Sequence, residues 1–98
     1  MTLRDEVTRL LQELLRANTV NPPGNEIRAA VVLREYFAPN GIDVELYARD
    51  PDRPNVVARV RGGDGPSLAF LSHTDTVLAD SDEWDRDPWS GDLVDGEV

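Results

Sequence analysis

An apolar run, Ser67-Leu68-Ala69-Phe70-Leu71, leads into Ser72-His73-Thr74-Asp75-Thr76-Val77, and no other stretch constrains the fold of this chain as strongly. A short run that is apolar on both faces describes a strand interior to a sheet. The chain's only histidine follows that run, with a carboxylate two residues further on. In open α/β sheets the functional groups collect beyond the carboxyl ends of strands. An imidazole held there by a nearby carboxylate is how a transition-metal ligand is presented, because the second hydrogen bond fixes its tautomer. His73 is therefore the candidate metal ligand and Asp75 its partner. Taken alone, His-x-Asp is a weak pattern in a chain this rich in aspartate, and a lone histidine is more often a packing or surface residue.

Upstream of that run the periodicity is clear. Leu3, Val7, Leu10, Leu11, Leu14 and Leu15 recur at steps of three and four, which predicts a helix fading near Ala17 and Asn18. Thr2 suits its N-cap, and Asp5 and Glu6 suit the positive end of its dipole. Asn21-Pro22-Pro23-Gly24-Asn25 is a turn cluster, after which Asn25 is expected to cap a second helix. Ile27, Ala30, Val31, Arg34 and Phe37 carry that helix, Leu33 widens its apolar face, and Pro39-Asn40-Gly41 ends it. Ile42, Val44 and Leu46 alternate with polar or exposed partners, predicting a strand with one wet face near a sheet edge. Asn55 to Val60 reads as a second strand, Gly62 to Pro66 as a turn, and Ser67 to Leu71 as the third strand. Beyond Thr76 no period holds. A long loop carries Trp84 and Trp89, expected to cover the domain, before a short strand or turn around Leu93 to Val98. The order α-α-β-β-β predicts an α/β arrangement, two helices followed by about three strands of a mixed sheet.

Composition narrows the function. The chain has 98 residues, enough for one small domain, and a net charge of −9 in which every basic residue is arginine. That balance argues against nucleic-acid and anionic-membrane partners. Without cysteine there are neither disulfides nor thiolate ligands, which fits a reducing compartment. No basic start with an apolar core marks a signal peptide, and no apolar run is long enough for a bilayer, so a cytoplasmic location is expected. The acidic stretch from Asp80 to Glu97 is opposed only by Arg86 and reads as a solvated loop. It fails as a calcium loop. With Asp80 as the first position, Asp85 stands where glycine is needed and Gly91 where a bidentate glutamate is needed. No Gly-x-Ser-x-Gly elbow and no phosphate-binding loop occur.

Several segments together resemble a known family. Ser72 to Val77, then Trp84, then Asp87-Pro88-Trp89-Ser90-Gly91-Asp92-Leu93-Val94-Asp95-Gly96 are similar to its first metal-binding segment. This is the dinuclear zinc peptidase and amidohydrolase family of acetylornithine deacetylase, succinyl-diaminopimelate desuccinylase, aminoacylase and glutamate carboxypeptidase. Asn18 to Glu26 resembles its segment after the first helix, and Arg53-Pro54-Asn55-Val56-Val57-Ala58 its second strand. The resemblance runs through nearly the whole chain in order. Trp89 stands where phenylalanine is common, and Leu78 where proline often follows the valine.

The resemblance implies that residues 1–98 are the N-terminal portion of a zinc-exopeptidase-like catalytic domain. It also implies that His73 is a ligand to one zinc and that Asp75 is the catalytic-site aspartate orienting it. Asp87 to Gly91 would lie near the active site. The implied reaction is hydrolysis of a peptide or N-acyl amino acid, with zinc, or cobalt in its place, as cofactor. The family's Gly-Arg-Gly segment with its bridging aspartate, its Glu-Glu pair, its further acidic ligand, its last histidine and its lid or dimerisation domain fall outside these residues. One histidine cannot make a hydrolytic site, which takes about three protein ligands and a water. The 98 residues alone are therefore expected to be catalytically silent and to hold no zinc tightly. Their expected partner is the remaining half of the catalytic domain or a second copy. The alternative is a non-catalytic, self-associating interaction module.

Overall fold

Thr2 starts the first helix, α1 (Leu3–Arg16), through a reciprocal cap in a computed structural model that describes residues 1–98. Its hydroxyl accepts from the Asp5 main-chain N–H at 3.2 Å, while Asp5 Oδ2 accepts from the Thr2 main-chain N–H at 2.9 Å. Two otherwise orphaned donors are thereby satisfied. The helix ends at Ala17, where the periodicity fades. Its apolar face is only partly covered: Leu10, Leu14 and Leu15 are half-buried against neighbouring elements, whereas Leu3, Val7 and Leu11 remain exposed.

The second helix, α2 (Ile27–Phe37), begins as the spacing predicts, but Asn25 does not cap it. Asn25 takes a left-handed conformation (φ +52°), and Glu26 occupies the cap position without a side-chain cap bond. The reason lies in the turn. Asn21 to Asn25 folds back so tightly that Gly24 and Asn25 both have positive φ, and the Glu26 carboxylate turns to Arg53 instead. A single 3-10 turn, Ala38–Asn40, closes α2 before Gly41, as expected.

Two strands follow, β1 (Asp43–Tyr47) and β2 (Asn55–Arg59), paired antiparallel with Asp43 opposite Arg59 and Tyr47 opposite Asn55. The alternation in β1 holds, with Val44 and Leu46 turned inward and Asp43, Glu45 and Tyr47 outward. Both helices and the hairpin meet around Ala29 and Ala30, the two buried apolar residues of α2. Small side chains there let the helix approach the sheet closely.

The third strand does not form. The sheet has two strands, and Ser67 to Leu71 forms no regular structure and has no ladder partner. Leu68, Phe70 and Leu71 are 81%, 89% and 97% exposed, the reverse of an interior strand. An interior strand needs a neighbour at each edge and a layer on each face, and residues 1–98 place nothing on either side of it. The molecule measures 51 Å along its longest axis, with a radius of gyration of 15.4 Å. About 13 Å would be usual for a compact domain of this size. The last predicted feature is a turn: Val94 and Glu97 bridge across Asp95-Gly96, whose positive φ values are those of a tight hairpin turn.

Candidate metal centre

One short parallel bridge assembles the site. Thr76 N–H donates to the Thr19 carbonyl at 3.1 Å, and Asn21 N–H donates to the Thr76 carbonyl at 2.9 Å. The hydroxyl of Thr19, itself buried, donates to the Thr74 carbonyl at 2.6 Å. These bonds stitch the segment after α1 to the segment carrying His73 and Asp75. The Thr76 hydroxyl is buried in the same seam without a partner.

His73 and Asp75 come together as their spacing suggests. His73 Nδ1 lies 2.8 Å from Asp75 Oδ1 and 2.9 Å from the Asp75 main-chain carbonyl. Both neighbours are acceptors when the carboxylate is ionised, so in the neutral ring Nδ1 carries the proton and Nε2 is left bare. The imidazole is 85% exposed, while the Asp75 carboxylate is about two-thirds covered at 31% exposure. The Asp75 carboxylate, and then its carbonyl, raise the imidazole pKa above its ordinary value. Asp75 itself is held below the usual carboxylate value, first by a hydrogen bond from Asn21 and next by His73.

Three further residues shape this corner, and the sequence does not single them out. Asn21 Nδ2 donates to Asp75 Oδ2 at 3.0 Å. Arg53 donates to both oxygens of Glu26, from Nη2 to Oε1 at 2.7 Å and from Nε to Oε2 at 3.0 Å. That pair ties the β1–β2 loop to the turn before α2, reinforced by Ile27 N–H donating to the Asp52 carbonyl at 3.0 Å. Gly24 makes room for it, since a Cβ there would sit 2.7 Å from Glu26 Oε2. Asn21 lay within the Asn18–Glu26 segment that the family resemblance covers. A pair 27 positions apart, like Glu26 and Arg53, leaves no local trace.

The loop of Asp87 to Gly91 is fastened to α1, not to His73. Gln12 Nε2 donates to the Gly91 carbonyl at 2.8 Å and Arg16 Nε to the Ser90 carbonyl at 2.7 Å. Trp89 is half-buried in a groove with Leu15, Arg16, Asn18 and Val20, as a covering residue should be. Trp84 is 57% exposed and covers little, contrary to expectation.

The donor set fits one corner of a metal site. A bare Nε2 on an imidazole fixed through Nδ1 is the form in which histidine ligates a metal. No cluster of three or more His, Cys, Asp or Glu residues is gathered to complete a coordination shell. No helix is long and apolar enough to cross a membrane.

No family model and no solved structure matches the chain. Among curated proteins it is 38% identical over 97 residues to a succinyl-diaminopimelate desuccinylase of Methylobacterium radiotolerans, covering 94% of this chain and 24% of that protein. A protein of the same name from Pseudoalteromonas atlantica is 32% identical over 94 residues, covering 95% of this chain and 24% of its own length. The chain thus spans about a quarter of the length of these relatives. Similarity of this extent, with His73 and Asp75 inside it, places the chain in the family of succinyl-diaminopimelate desuccinylase.

Proposed function

We propose that residues 1–98 form the N-terminal portion of the catalytic domain of a metal-dependent amidohydrolase acting on an N-acyl amino acid. The observation that carries the reading is the 2.8 Å contact between His73 Nδ1 and Asp75 Oδ1, which leaves Nε2 bare at an exposed ring. In this reading His73 is a metal ligand through Nε2, and Asp75 holds the ring in the ligating tautomer. A bound zinc ion would polarise the scissile amide carbonyl and lower the pKa of a water for attack. The remaining ligands and the proton-transferring group belong to sequence outside these residues. The names of the relatives support a succinylated amino acid as substrate.

The test uses the complete gene product that contains this chain. Hydrolysis of an N-succinyl amino acid is expected to fall by about three orders of magnitude in His73→Ala, the scale of losing a group that acts in the transition state. Undiminished turnover in that variant would contradict the reading.

A second reading rests on the exposed apolar side chains of Leu68, Phe70, Leu71, Val77 and Leu78. Exposed strand edges with apolar side chains are templates for pairing with another chain. Under this alternative the 98 residues act as a self-associating module without catalysis. A complete gene product that is active and depends on His73 would exclude it.

A further inference from the structure

From the geometry around Asp75 we infer that Asn21 is a positioning residue for His73, acting by fixing the rotation of the Asp75 carboxylate. The inference rests on the proposed role of His73 and names a residue that role does not include. Asp75 uses its two oxygens in different directions: Oδ1 meets His73 Nδ1 at 2.8 Å, and Oδ2 meets Asn21 Nδ2 at 3.0 Å. A carboxylate turns freely about its last bond, because that torsion is broad and two-fold. With Oδ1 alone engaged, the carboxylate would be anchored only to a ring that is 85% exposed and that has the Asp75 carbonyl as a second acceptor. The amide donor on Oδ2 supplies the second point that stops the rotation.

Asn21 can do this because its own backbone is fixed. Its N–H is bound to the Thr76 carbonyl at 2.9 Å, one residue beyond Asp75, and Gly24 N–H returns to the Val20 carbonyl at 2.9 Å. The side chain is solvent-exposed and packs no core, so changing it removes a donor without opening a cavity. The Asp75 carbonyl, 2.9 Å from Nδ1, offers the ring another acceptor, which makes the contribution of the carboxylate a measurable question.

The chain has a single histidine, so imidazole nitrogen-15 spectra of the 98-residue protein report one ring without assignment. At a pH where that ring is neutral, the wild type is expected to show a pyridine-type Nε2 and a pyrrole-type Nδ1. Asp75→Ala sets the endpoint in which the carboxylate is gone and only the main-chain carbonyl faces Nδ1. Asn21→Ala and the near-isosteric Asn21→Asp, which keeps the shape and loses the donor, are both expected to move the ring most of the way to that endpoint. Protection of the Asn21 and Thr76 amides, which reports the bridge, should persist in both. Wild-type tautomer in both variants would overturn the role of Asn21 while leaving the His73–Asp75 pair intact. A shift in Asn21→Ala but not in Asn21→Asp would overturn it too, since the donor would then be irrelevant. A wild-type ring already at the Asp75→Ala endpoint would overturn the pairing and the positioning role together.

Discussion

Asp75 and Gly24 show how much rests on single residues in this chain. Asp75 joins a ring on one side to an amide on the other, and the bond to the amide spans two segments tied by the single Val20–Thr76 bridge. Gly24 holds a φ of +99° beside the Glu26–Arg53 ion pair, where a methyl group would meet Glu26 Oε2 at 2.7 Å and Arg53 Nε at 2.9 Å. Backbone strain and displacement of the pair act in the same direction. Gly24→Ala should therefore cost about 1–3 kcal/mol, read as a lowered urea midpoint with an unchanged slope. A midpoint equal to wild type would mean that the turn absorbs the change. The chemical residues were legible in advance: His73 is unique, and an apolar run points to it. Their supports were not. Asn21 and Arg53 reach the site through contacts 54 and 27 positions apart in sequence, respectively, and local pattern carries no such information.

The elements divide by how local their causes are. The α1 helix was readable to within a residue because its cap, its first-turn acids and its spacing all lie inside it. Thr2→Ala should cost about 1 kcal/mol, the usual loss for such a cap. The same cap gives a pH dependence. The Asp5 carboxyl is held below its ordinary value, first by the Thr2 main-chain N–H and then by the Thr2 hydroxyl. A carboxylate depressed in the folded state stabilises above its unfolded pKa, and that stabilisation disappears as pH falls through the folded value. The first turn of α1 should therefore fray below about pH 4, seen as loss of Glu6 amide protection, and Asp5→Asn should show no such transition. The hairpin of β1 and β2 was equally local, its alternation setting its wet face. The start of α2 was not, because the left-handed turn at Gly24 and Asn25 overrides the capping preference of asparagine. Ser67 to Leu71 failed for the opposite reason: its pattern describes surroundings that residues 1–98 do not provide.

Across the whole molecule that mismatch becomes a surface. Leu68, Phe70, Leu71, Val77 and Leu78 are all exposed, and Leu3, Val7 and Leu11 line an uncovered stripe of α1. Patches of this kind seek cover, and covering them would contribute about 25 cal/mol for each Å² of apolar area removed from water. The 98-residue protein should consequently sediment as concentration-dependent oligomers, and Phe70→Glu with Leu71→Glu should return it toward monomer. A wild type that stays monomeric at all concentrations would show these side chains to be stable in water. The net charge of −9 opposes association only at long range, and salt screens it. The relatives are about four times as long as this chain, and in the proposed reading the same side chains are buried by further sequence of the catalytic domain.

If His73 is a metal ligand held by Asp75, the metal content of the protein depends on it. The complete gene product would be purified as wild type and as His73→Ala, and the zinc bound per chain measured by elemental mass spectrometry. The variant is expected to stay folded and to lose metal. A folded variant with the full wild-type complement of zinc would contradict that role of His73.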